Sequence, residues 1–254
     1  MNDVFLFTGY DRIDLLEFFL AKKIKIHALI IPSLDKYINT MTEAILYCSK
    51  HSIPIMSSKS ISSFFDQQLV SNSVLYSSGY PLMIKPAQFK RFRYAINCHP
   101  SLLPKYRGKY LEYIFLNKDV YSGTTLHHID EGCDSGPIIL QSSFEVRFTD
   151  TVSSLLKKSY DKEILLLDKL VNNPDLILNS IPQDESKATT YITKRTPQDS
   201  RVNHMISLLD AFLMSRAFDS DRYPGFFVYN GYKITFTMTA DRLACEDDGD
   251  FYPD

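Results

Sequence analysis

Residues 94–108 read YAINCHPSLLPKYRG. A short apolar run, Ala95 and Ile96, gives way to Asn97 and His99, and then to a loop with two prolines, Lys105 and Arg107. The run reads as a strand over 93–97. Pro100 keeps His99 extended, because a residue before proline is pushed away from helical angles. In an extended chain, side chains two apart share a face, so Asn97 and His99 point to the same side. An amide and an imidazole so placed can converge on one small polar group, one donating to an oxygen and the other exchanging a proton. The same pair also suits a strand end whose histidine only satisfies a hydrogen bond, and spacing alone does not choose.

Upstream, DVFLFT (3–8) reads as a buried strand, and Asp11 can cap a helix in which Ile13, Leu16 and Leu20 recur at helical spacing. IKIHALII (24–31) is nearly continuous, as in a strand covered on both faces. Helices are expected around 38–51 and 60–69, with strands near IPIM and over 73–79. Downstream, a helix over 109–117 precedes strands over 123–130 and 137–146 and an amphipathic helix over 151–172. Such alternation predicts a doubly wound, Rossmann-like, mostly parallel α/β sheet. Ligands of such sheets bind at the carboxyl ends of the strands, where the loops 77–84 and 97–108 leave.

Residues 174–190 turn polar and contain two prolines, which places a boundary there. The expected division is a first domain over 1–180 and a small C-terminal α+β subdomain over 181–254. The latter holds a helix within 204–218 and a hairpin, FFVYNGYKITFTM, turning at Asn230-Gly231. Phe212, Leu213, Phe226, Phe227 and Val228 offer a homodimer face or pack on the chain's own core.

The hydrophobic fraction of 44% suits a packed core and argues against disorder. A net charge of -2 gives no electrostatic case for nucleic acid. The N-terminus lacks a basic region followed by a long apolar one, and no apolar run approaches the roughly 18 residues of a membrane span, so neither signal peptide nor membrane partner is expected. Cys48, Cys98, Cys133 and Cys245 are scattered without a CxxC pair, which reads as reduced thiols in a cytoplasmic protein with no metal site.

A carboxylate beside the imidazole would complete a proton-handling set. DEGCDSG (130–136) supplies Asp130, Glu131 and Asp134, and Gly132 and Gly136 allow close approach of a ligand. A plain acidic turn is the alternative.

NCHPSLLPKYRG followed by GTTLHHIDEGCDSGPIILQ resembles the formyltransferase family that uses N10-formyltetrahydrofolate, most nearly its sugar-nucleotide N-formyltransferases. The resemblance implies a catalytic set of Asn97, His99 and Asp134. In it Asp134 favours the imidazolium, Asn97 and protonated His99 stabilise a developing oxyanion, and His99 or a water on Asp134 takes the amine proton. His127 either supports Asp134 or has no role. The cosubstrate implied is N10-formyltetrahydrofolate, its pteridine held against Tyr80, Leu82, Met83, Ile84, Ile129 and Asp130. KRTPQDSRVN and the later RYPG resemble the segment after the catalytic core of sugar N-formyltransferases, although SRV lacks a glycine common there. The implied acceptor is a nucleotide-linked amino sugar, such as a dTDP-amino-dideoxyhexose for surface polysaccharide or O-antigen synthesis, held by Lys105, Arg107, Arg195 and Tyr223. The alternatives are a phosphoribosylglycinamide formyltransferase-like enzyme, whose Gly- and Ser-rich phosphate turn TGYDRIDLLEF does not match, and a catalytically silent folate- or nucleotide-binding module.

Overall fold

Val4, Phe5, Leu6 and Phe7 are all buried, as a strand covered on both faces must be, and they lie at the centre of the sheet. The computed structural model describes residues 1–32, 39–57, 67–108, 111–191, 196–218 and 223–241. In chain order its strands are β1 (Asp3–Phe7), β2 (Lys25–Ile31), β3 (Ile55–Ser57), β4 (Val74–Ser78), β5 (Tyr94–His99), β6 (Arg107–Gly108), β7 (Tyr121–His128), β8 (Ile138–Glu145), β9 (Thr190–Tyr191), β10 (Gly225–Tyr229) and β11 (Tyr232–Phe236). The α-helices are α1 (Ile13–Ala21), α2 (Thr42–Lys50), α3 (Gln67–Asn72), α4 (Pro86–Phe89), α5 (Glu112–Leu116), α6 (Val152–Asn172) and α7 (Leu208–Ser215). Seven strands form one sheet in the order β3-β2-β1-β4-β5-β7-β8. The first five run parallel, while β7 is antiparallel to β5 and β8 to β7. The sheet is therefore mostly parallel and Rossmann-like, as expected, with the order of strand addition reversing at β1, between β2 and β4.

Alternation along β1 sends Val4 and Leu6 to one face and Phe5 and Phe7 to the other. The first face is covered by Leu15, Leu16 and Phe19 of α1, Ala44 and Cys48 of α2, and Leu166, Leu167 and Leu170 of α6. The second packs Phe5 and Phe7 with Ala28, Ile30, Leu75, Phe89 and Phe92. Among the described residues no helix is long and apolar enough to cross a membrane.

Asp11 does not cap its own helix. Its carboxylate accepts the Ala44 N–H in the first turn of α2 at 2.8 Å, and Arg12, which stands at the α1 cap, turns its side chain inward. The helix expected around 38–51 begins at Thr42, and residues 33–38 lie outside the described residues. Of the one expected over 60–69, residues 60–66 also lie outside them, and α3 begins at Gln67.

The loops leaving β1 and β4 are in contact. A Cβ at Gly9 would stand 2.7 Å from Pro81 Cδ, and one at Gly79, whose φ is +65°, would stand 2.9 Å from Tyr10 Cδ2. Glycine at both positions lets the loops seat against one another.

The division expected at residue 180 does not coincide with a break in packing. Tyr106, Ile114, Phe115 and Leu155 share a buried cluster with Val202, Ala217 and Phe218, and Phe227 and Phe236 pack against it. Ile181 bridges Ile138, and β9 pairs with β6. Phe212 and Phe226, two of the residues offered as a dimer face, are buried within this chain, while Val228 remains exposed. The hairpin turns as expected, with Asn230 at φ 46° and Gly231 at φ 80°.

Candidate active site

Antiparallel pairing of β5 with β7 sets Asn97 directly opposite His127, and directly opposed residues share a face of the sheet. His99, two residues beyond Asn97, joins them on that face. The β7–β8 loop folds over it and brings in Asp134, whose backbone takes the left-handed conformation at φ 51°. The three residues expected to form a catalytic set, and His127 with them, meet at the Asp134 carboxylate. Asn97 Nδ2 lies 3.0 Å from His127 Nε2 and 3.4 Å from Asp134 Oδ1. His99 Nδ1 lies 3.4 Å from Asp134 Oδ2, and His127 Nε2 lies 3.6 Å from Oδ1. The Gly108 N–H donates to Oδ2 at 2.8 Å.

This network assigns the protons. Asn97 presents its nitrogen to Asp134, since its own oxygen there would face a carboxylate. His127 Nδ1–H donates to the His128 carbonyl at 2.8 Å, which leaves Nε2 to accept from Asn97. His99 Nε2 sits 2.7 Å from the Tyr106 carbonyl and carries the proton of a neutral ring, so Nδ1 faces Asp134 with an open lone pair. Tyr106, like Asp134, is held in the left-handed region, at φ 63°. Both groups that frame His99 therefore come from strained backbone, a cost that functional sites concentrate.

Burial corrects one expectation. His99 is only 6% exposed, and burial lowers its pKa below the ordinary 6.5. The Asp134 charge and the Tyr106 hydrogen bond pull the other way without prevailing, and His127 adds to the lowering. The resting ring at neutral pH is therefore neutral, a proton acceptor rather than the imidazolium expected from Asp134 alone. Burial also pushes the Asp134 carboxyl up, but the His99 and His127 rings, protonated at the low pH where a carboxyl titrates, and the Gly108 N–H outweigh it, and it stays ionised well below the usual carboxylate range. In NMR titrations His99 should reach its midpoint below 6.5. A midpoint at or above 6.5 would mean that Asp134 wins over burial.

The other expected residues are distributed as follows. Tyr80 packs its ring edge-on against Phe7, and with Ile84 and Ile129 it belongs to one apolar cluster beneath the β4 loop. Leu82 and Met83 are exposed above it. Among the described residues nothing hydrogen-bonds to the backbone amides and carbonyls of Leu82, Met83 and Ile84. This ledge thus has an apolar floor and an exposed rim of Leu82 and Met83. Asp130 turns its carboxylate inward to the Gly132 N–H at 3.0 Å and the Ser135 hydroxyl at 2.8 Å, shaping the loop. Glu131 pairs with Lys90, which leaves Asp134 as the carboxylate of that loop at His99.

Arg107 is a second correction. It is 6% exposed, and its guanidinium is taken up by Gln183 and Glu185 rather than presented to a ligand. Lys105 is exposed and lies 3.6 Å from Asp119. Tyr223 is half-buried, and its carbonyl accepts from the Ser200 hydroxyl. Arg195 lies outside the described residues. Sequence reasoning missed the Gly108 amide, the Tyr106 carbonyl and Gln183. The first two are backbone groups, which leave no mark on residue identity, and Gln183 lay in the stretch read as a linker.

An amide, an imidazole and a carboxylate gathered at one buried point of a Rossmann-like sheet form an arrangement able to accept and return a proton. Residues 65–171 match the family model described as Formyl transferase, and that stretch contains Asn97, His99, His127 and Asp134. That stretch of the chain is similar to the formyl transferase family. The chain is 29% identical over 187 residues to the bifunctional polymyxin resistance protein ArnA of Wigglesworthia glossinidia brevipalpis, an alignment that takes in 71% of this chain and 28% of that protein. The chain thus spans under a third of that relative's length. It is 26% identical over 212 residues to a methionyl-tRNA formyltransferase of Anaplasma marginale (strain St. Maries), covering 80% of this chain and 69% of the relative. Among solved structures, the N-formyltransferase from Helicobacter canadensis, crystallised with folinic acid and dTDP-3-aminofucose, superposes with a TM-score of 0.70 at 21% identity, over 92% of this chain and 86% of that one. At that identity the likeness is one of fold.

Proposed function

We propose that the protein moves a formyl group from N10-formyltetrahydrofolate to the primary amine of a nucleotide-linked amino sugar. The observation that carries formyl transfer is the open lone pair of His99 Nδ1, set 3.4 Å from an ionised Asp134 and beside the Asn97 amide. N10-formyltetrahydrofolate, when bound, supplies the formyl group. The ledge of Leu82, Met83 and Ile84 would hold its ring edge, with Tyr80 and Ile129 beneath. As the neutral substrate amine bonds to the formyl carbon, its proton passes to His99 Nδ1, where Asp134 stabilises the new positive charge. His99 then returns that proton to folate N10 as the bond from N10 to the formyl carbon breaks and tetrahydrofolate leaves. The Asn97 amide can exchange its long bond to Asp134 for one to the carbonyl oxygen that gains charge. The nucleotide-sugar acceptor is supported by the fold shared with the Helicobacter canadensis protein and the ligand recorded with it. Of the residues the resemblance implies for the acceptor, Lys105, exposed beside Asp119, and Tyr223 remain the candidates among the described residues. An acidic chain of net charge -2 disfavours tRNA, whose phosphates need many cationic contacts.

The test is incubation with N10-formyltetrahydrofolate and, in separate reactions, dTDP-linked 3- and 4-aminosugars, a UDP-linked aminosugar, glycinamide ribonucleotide and methionyl-tRNA. Tetrahydrofolate should appear only with a nucleotide-linked aminosugar. Its release with glycinamide ribonucleotide or methionyl-tRNA alone would overturn the acceptor. No release with any amine would overturn formyl transfer.

A further inference from the structure

The segment over 181–191, polar and proline-bearing, is built into the site. Ile181 and Ile138 exchange both backbone hydrogen bonds at 2.8 Å, and two residues on Gln183 lies 9% exposed. Its Nε2 donates to the Asp134 carbonyl at 2.8 Å and to the Gly136 carbonyl at 2.7 Å. Its Oε1 accepts from Arg107 Nε at 3.0 Å and Nη2 at 2.8 Å. Carbonyls on one side and a guanidinium on the other permit a single orientation of the amide, and every strong hydrogen-bonding position on it is used. Arg107 is in turn fixed by a two-pronged pair to Glu185, at 2.7 and 2.9 Å. The next residue, Gly108, gives its N–H to the Asp134 carboxylate.

Asp134 is therefore gripped at both ends. Gln183 holds its carbonyl, Gly108 holds its carboxylate, and Arg107 ties the two grips together. A left-handed aspartate needs such restraint, because a relaxed loop would let φ return to negative values and swing the carboxylate away from His99. We propose that Gln183 is a positioning residue for formyl transfer. Braced by Arg107, it locks Asp134 in the left-handed conformation that aims its carboxylate at Asn97 and His99. It acts through Asp134, and Arg107 belongs to this brace rather than to the acceptor site. The inference rests on the reaction proposed above.

The experiment combines kinetics with His99 titration by NMR in the full chain carrying Gln183→Met, Gln183→Glu or Arg107→Lys. Gln183→Glu keeps an acceptor for Arg107 but sets an oxygen against the two carbonyls, and Arg107→Lys keeps the charge facing Glu185 but loses the fork. His99 faces Asp134 and His127. With Asp134 turned away, its midpoint should fall by about one unit, the lower end of what an opposite charge at close range confers. Turnover should fall about 10²-fold, as expected for roughly 1 Å of misplacement, with KM for both substrates within about threefold of wild type. If folded variants keep the His99 midpoint within about 0.2 units of wild type, or if KM rises while kcat holds, the proposal is overturned. Arg107→Lys keeps the question decidable if both Gln183 variants fail to fold. The titration reads Asp134 placement even if the wild-type protein transfers no formyl group, which separates failure of this inference from failure of the proposed reaction.

Discussion

Asp134→Asn should slow formyl transfer by at least about 10²-fold while leaving the fold intact, the scale of a lost acid–base contribution. Asparagine matches aspartate in volume and tolerates the left-handed φ of 51° nearly as well, so the loop need not move. What changes is charge. The Gly108 N–H loses its anionic acceptor, and His99 loses the neighbour that raises its basicity against burial. A proton arriving at Nδ1 then forms an imidazolium in a buried site without a counter-charge. Two readouts check this: the single-turnover rate with formyl donor and amine in excess, and the His99 titration midpoint, which should drop further below 6.5. A near-normal rate would place the chemistry elsewhere.

The second large effect concerns stability. Glu163 lies on the buried face of α6 and is 0% exposed, while Arg12 is 1% exposed. Glu163 accepts from Arg12 Nη1 at 2.8 Å, the Ser78 hydroxyl at 3.0 Å and the Tyr76 hydroxyl at 2.6 Å. Arg12 also holds Asp14 through Nε and Nη2, at 2.8 and 2.7 Å, and lies 3.8 Å over the Tyr160 ring. Burial works against the charged guanidinium, but Glu163 and Asp14 more than offset it and raise the Arg12 pKa. Glu163→Ala leaves a buried cation short of its partner and orphans the Tyr76 hydroxyl. The expected loss is about 3–5 kcal/mol, a large fraction of the roughly 5–15 kcal/mol that domains possess. Replacing both partners, Arg12→Met with Glu163→Leu, should recover much of it, because neither charge is then buried alone. Urea unfolding measures both. A Glu163→Ala protein within about 1 kcal/mol of wild type would mean that solvent reaches the cluster.

The sheet was legible because its signal is local. Apolar runs of strand length between helical periods mark β1, β2, β4 and β5 wherever the chain folds, and antiparallel β7 and β8 share that pattern. Asn97 and His99 were legible for the same reason, since extended geometry alone puts them on one face. Asp134 needed the resemblance, because nothing in an acidic turn tells which carboxylate will bend back over a distant strand. The misreadings share one cause, long-range packing. Asp11 sits where a helix cap belongs, yet its partner is Ala44 on another helix. Arg107 carries the chemistry of a phosphate ligand, but Glu185 and Gln183 reach it first from a segment whose prolines and polarity suggest a linker. The charge state of His99 is set by burial, a quantity local sequence does not contain. Pairing it with a carboxylate predicts an imidazolium, and the surrounding core reverses that.

The hydrogen bond from His99 Nε2 to the Tyr106 carbonyl has a consequence for the traffic of protons. A histidine with both nitrogens open can work as a wire, taking a proton at one edge of the ring and releasing it from the other. Here one edge is already committed, so the ring is a cul-de-sac. Whatever proton enters at Nδ1 must leave from Nδ1, toward Asp134 or a bound substrate. In the proposed reaction each turnover is thus a single round trip of the proton at one atom.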